Sequence, residues 1–90
     1  MSIYLPPEVE PYRDDVRRFL DGMVYKLGRN SHKGRWEDYD YESVMVQLRQ
    51  ELDELEEALE RGNMVEILLE AADVANFSLI IAAMVVENGR

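Results

Sequence analysis

Ile67-Leu68-Leu69-Glu70-Ala71-Ala72-Asp73-Val74-Ala75-Asn76-Phe77 is an apolar stretch interrupted by two acids three residues apart. At 100° per residue such a pair lies about 60° apart on one helix face, and Asn76 continues the row. Almost every neighbour is apolar, and burying unpaired carboxylates costs several kcal/mol each. Something cationic must compensate them. The helix that carries them runs from about Met64 toward Asn88, with Gly89 beyond. It is apolar on nearly every side from Ala71 onward, the pattern of a helix buried all round.

Reading outward, Gly62-Asn63 is a natural helix stop, and the residues before it predict a second helix over Tyr41 to Arg61. Val44, Leu48, Leu52, Leu55 and Leu59 form its apolar stripe. Taking that stripe as zero, Glu51 falls at about 300° and Glu54 at about 240°, so both flank the core. An antiparallel hairpin brings Glu51 and Glu54 face to face with Glu70 and Asp73. Arg49 and Arg61 are the only basic residues between Trp36 and Arg90, which favours a bound divalent cation as the compensating charge. All-oxygen ligation suits Mg²⁺, Mn²⁺ or Ca²⁺ rather than zinc. His32 is the only histidine, so the Glu-x-x-His pairs of di-iron bundles are missing, as is the spaced pattern of an EF-hand.

Upstream, Val16, Phe19, Leu20, Met23, Val24 and Leu27 recur on one face of a first helix expected from about Pro11 to Gly28, with Tyr12 and Tyr25 assigned to packing. Residues 1–9 read as an extended arm and 28–40 as a long loop, which in a small domain is usually functional. The expected fold class is all-α, three helices in a single domain over residues 1–90. A chain this short has a poor ratio of core to surface, so completion by a partner subunit is expected.

The net charge of −9 argues against general nucleic-acid binding, which draws on many Lys and Arg. There is no cysteine, and the N-terminus has no signal-peptide pattern; a cytoplasmic protein is expected. The longest uninterrupted apolar run, Leu79 to Val86, is too short for a membrane anchor. Against this acidic background, Lys26, Arg29, Lys33 and Arg35 fall in one ten-residue stretch, with no acid between Asp21 and Glu37. Such a reversal suits an anionic ligand. Lys33 is the leading phosphate contact, Trp36 can stack on a base or cap the core, and Asn30 can read a base edge. Lys26 and Asn76 complete the candidate substrate contacts.

Glu51-x-x-Glu54, fifteen residues, then Glu70-x-x-Asp73 resembles the signature of the MazG-like pyrophosphohydrolases. Lys26-Leu27-x-x-Asn30-x-His32-Lys33-Gly34-x-Trp36 is similar to the segment preceding the first acidic pair in small stand-alone relatives, and the likeness covers roughly residues 16–86. The resemblance implies that Glu51, Glu54, Glu70 and Asp73 coordinate Mg²⁺, for which Mn²⁺ can substitute. It further implies water attack on the α-phosphorus of a nucleoside triphosphate, releasing monophosphate and pyrophosphate. The Asn30 to Trp36 segment inclines the expectation toward deoxynucleotides. Relatives often carry a further acid where this chain has Gln50. The general base is therefore open between Glu51 and Glu54, or none is needed. The resemblance also implies a helical bundle completed as a homodimer or a dimer of dimers, and the apolar third helix implies the same. Two other readings stand beside it: an acidic helical protein-interaction module, and a lapsed relative that binds nucleotides without turnover.

Overall fold

The computed structural model describes residues 4–36 and 38–89, and every regular element among them is helical. A 3₁₀ stretch, Pro7–Tyr12, leads into α1, Arg13–Arg29; a second, Ser31–Lys33, follows, and then come α2, Tyr41–Arg61, and α3, Met64–Asn88. The arm expected over residues 1–9 is therefore already coiled from Pro7, and its first three residues lie outside the described ones. Pro11 sits inside this 3₁₀ stretch rather than at the start of α1. With Pro7 at its first position, a ring that fixes φ near −65° favours such a tight turn.

The bounds of α2 and α3 match the sequence reading because their ends carry explicit stops. Asp40 accepts a hydrogen bond from the Ser43 amide at 2.7 Å, and Asn63 accepts one from the Glu66 amide at 2.9 Å. Both satisfy amide groups that the first helical turn leaves open. Gly62 closes α2 with φ of 75°, in the left-handed region that glycine enters without penalty.

Packing departs from a closed three-helix bundle. α3 is the centre, with α2 on one side and α1 on the other, and α1 does not pack on α2. The consequence is a small core. Val44, Ala58, Ala72, Ile80 and Met84 are its buried apolar residues, joined at its edge by Trp36, Tyr41, Phe77 and Ile81. No residue of α1 is fully buried: Phe19, Val24 and Tyr25 are exposed, as is Tyr12 just before the helix, which corrects the assignment of the two tyrosines to packing. Nor is α3 buried all round in one chain. Its inner row is Ala72, Asn76, Ile80 and Met84, whereas Met64, Val65, Leu68, Leu79, Val85 and Val86 are exposed. The physical reason is the number of neighbours, since two helices cannot cover a helix that is apolar on every side. The leucine stripe of α2 is half-covered likewise, with Leu52 47% and Leu59 58% exposed.

By length and composition α3 is long and apolar enough to cross a membrane. Glu70 and Asp73 lie well inside it, however, and ionised groups at that depth in hydrocarbon are costly.

Candidate metal centre and cavity

The hairpin of α2 and α3 performs the juxtaposition that the spacing predicts. Carboxylate oxygens of Glu51, Glu70 and Asp73 all lie within 4.8 Å of one another, and the three side chains are half-buried. Glu54 is exposed and lies outside this triad, yet its carboxylate touches Glu51 and Glu70 closely enough to alter both. Burial, a shared hydrogen bond with Glu54, and then the charges of Glu54, Asp73 and Glu70 push the Glu51 carboxyl up to about 7. Burial first, followed by the charges of Glu54 and Asp73, raises Glu70 too, and Lys26 opposes the rise.

Four oxygens or nitrogens in this region are buried without a hydrogen-bond partner: Oε2 of Glu51, Oε2 of Glu70, Oδ1 of Asn76 and Nε1 of Trp36. Three are acceptors, and two of those are carboxylate oxygens facing their own kind. Native chains rarely leave such groups unmet. A hard divalent cation is the group that fits them, because it takes oxygen ligands and offsets like charge together. Glu51, Glu70 and Asp73 would hold it, with Glu54 beside them.

The metal-free cluster makes stability depend on pH. Glu51 holds its proton more tightly when folded, so its contribution is fully present below the unfolded value of 4.5 and lost as pH rises through about 7. Without metal, the melting temperature should be higher at pH 5.5 than at pH 8, by on the order of 5 °C, and saturating Mg²⁺ should remove the difference. Calorimetry at both pH values checks this. A flat metal-free profile would contradict the crowding of the cluster.

One cation is already present, and the sequence reading missed its source. α1 brings the Lys26 ammonium to Asp73, Nζ to Oδ2 3.0 Å, with both side chains mostly buried. Basic residues are scarce along α2 and α3, and the partner comes instead from α1. Asn76 ties the same two helices: its Nδ2 donates to the Met23 carbonyl at 3.1 Å, leaving Oδ1 free.

Because α1 and α2 stand apart over α3, a cavity of about 510 Å³ opens between them. Glu51, Asp73 and Asn76 line it together with Lys26, Lys33 and Trp36. Asn30 also lines it, but its Nδ2 donates to the Lys26 carbonyl at 3.0 Å, so it caps α1 in this state. Lys33 is exposed at the rim and makes no ion pair among the described residues. Trp36 packs against the core cluster, and the Arg35 guanidinium covers its ring at 4.6 Å from the centroid. Arg35 is itself paired with Glu87 near the end of α3. This supports the capping role for Trp36, and leaves its unpartnered Nε1 as the polar atom it offers. Gln47 was missed: it precedes Glu51 by one helical turn and lines the cavity, a position the four-residue spacing alone points to.

No family model, curated protein or solved structure matches the chain.

Proposed function

We propose that the chain is a Mg²⁺-dependent nucleoside triphosphate pyrophosphohydrolase of the MazG-like kind, cleaving a nucleoside triphosphate, preferably deoxy, to monophosphate and pyrophosphate. One observation carries the reading: a carboxylate cluster with unpartnered buried oxygens opens onto a cavity that Lys26, Lys33 and Arg35 also line. Mg²⁺, or Mn²⁺ in its place, would supply charge neutralisation on the phosphates and acidify water. The chain's own residues do the remainder. In the reaction, water oxygen bonds to the α-phosphorus, the bridging oxygen leaves with pyrophosphate, and one water proton must be accepted. In this reading Glu51 rather than Glu54 takes that proton, since Glu51 lines the cavity and Glu54 does not. Gln50, which stands where relatives often carry a further acid, is exposed and takes no part in this reading. Lys33 screens phosphate charge at the rim.

The deciding experiment is release of pyrophosphate from the common nucleoside and deoxynucleoside triphosphates, with and without Mg²⁺. Pyrophosphate from at least one of them, lost on chelation, is expected. Binding without release would instead point to the lapsed relative, and neither binding nor release to an interaction module. Lys33→Ala should raise KM about tenfold with kcat nearly unchanged, because phosphate charge is present in both ground and transition states. Equal losses in kcat and kcat/KM would assign Lys33 to the transition state instead.

The same proposal includes a homodimer at least. A compact monomer of 10.5 kDa exposes about 5,400 Å², against 6882 Å² for this chain. Its radius of gyration, 14.5 Å, likewise exceeds the roughly 12 Å expected at this length. A second copy laid on the uncovered leucines of α2 and the outer row of α3 accounts for the excess.

A further inference from the structure

We infer that Lys26 is an exchangeable counter-ion, which neutralises Asp73 while the carboxylate cluster is free of metal and turns to polyphosphate in the cavity once a divalent ion takes its place. The inference rests on the metal-dependent reading above and adds to it an order of events. Lys26 sits at the junction that such an exchange requires. Its ammonium is 3.0 Å from Asp73, one of the three acids whose oxygens converge, and the same side chain lines the cavity together with Lys33 and Trp36. A cation bound among those oxygens displaces the ammonium by direct repulsion. The freed ammonium has its stem anchored on α1 and the cavity as its nearest outlet.

A second observation marks this as a place for a ligand rather than a finished ion pair. Asn76, 6% exposed, lies one turn beyond Asp73 on the same face and lines the same cavity with its Oδ1 unpartnered. Lys26 also leaves one ammonium among three acids, with Glu51 Oε2 and Glu70 Oε2 still unmet. A single ammonium holds the site together without satisfying it.

The two ligands should therefore respond to Lys26 in opposite directions. Lys26→Met, which keeps the stem and removes the charge, is expected to bind Mn²⁺ about tenfold more tightly than wild type, because a competing cation is gone. In saturating Mn²⁺ the same variant should bind a non-hydrolysable α,β-imido nucleoside triphosphate about tenfold more weakly. Lys26→Arg should stay near wild type in both, and Lys26→Gln repeats the test if the Met variant does not fold. Calorimetry and Mn²⁺ spin resonance read these affinities without turnover. Mn²⁺ affinity unchanged or weakened in Lys26→Met would overturn the exchange, as would an unchanged triphosphate affinity. Absence of Mn²⁺ binding in the wild type itself would instead remove the metal reading on which the inference stands.

Discussion

Glu70→Gln is expected to lower kcat at least about a hundredfold in saturating Mg²⁺ while leaving the fold as stable as before, or more so. The two effects have one origin. Glu70 is half-buried, its Oε2 has no partner, and its ionisation is opposed by burial and by the charges of Glu54 and Asp73. Replacing its carboxylate by an amide removes one negative charge from the cluster and supplies a donor to neighbouring acids, which relieves the metal-free chain. On the proposed metal reading, the same change withdraws a ligand from the divalent cation. Steady-state kinetics together with metal-free melting test both halves. Near wild-type kcat would remove Glu70 from the metal site, and a large drop in stability would show that the cluster is held by contacts other than charge relief.

Disrupting assembly should have an effect of comparable size on folding. On α3, Met64, Leu68, Ala71, Ala75, Leu79, Ala82 and Val86 recur at steps of three and four, about 120° round the helix from its inner row. Leu68, Leu79 and Val86 on this stripe are exposed. Covering it would contribute roughly 25 cal/mol per Å² of apolar surface removed from water. Sedimentation at micromolar concentration should find at least a dimer, twice the 10.5 kDa of one chain. Leu68→Glu should leave an unfolded or aggregating chain, since obligate dimers often have no stable folded monomer. Leu68 is the informative position because Ile81, in contrast, packs against the chain's own core. A well-folded wild-type monomer would refute the dimer.

What was legible in the sequence is what local chemistry decides. Asp40, Gly62, Asn63 and Gly89 stand at helix ends in roles their side chains and φ values dictate, so α2 and α3 were readable almost to the residue. The convergence of Glu51 with Glu70 and Asp73 followed from one short turn. Glu54 was harder to place, because 60° of helix rotation separates a triad member from a neighbour only once the packing angle is known. The Lys26 to Asp73 pair and the cavity were not legible at all. They depend on α1 lying across α3 from α2, and no periodicity within a helix records which flank its neighbour takes.

The two-residue connection between α2 and α3 has a consequence for how the molecule comes together. All four acids lie on one hairpin, within a loop of chain short enough to close early, whereas Lys26, Lys33 and Trp36 belong to segments that dock on it from outside. Contacts between near neighbours in sequence form faster than distant ones. The acidic half of the proposed site is therefore expected to assemble as a local unit, and the half proposed to recognise a ligand to be laid against it afterwards. Substitutions from α1 to the Arg35 loop can accordingly vary which ligand is held without redrawing the acids that would act on it.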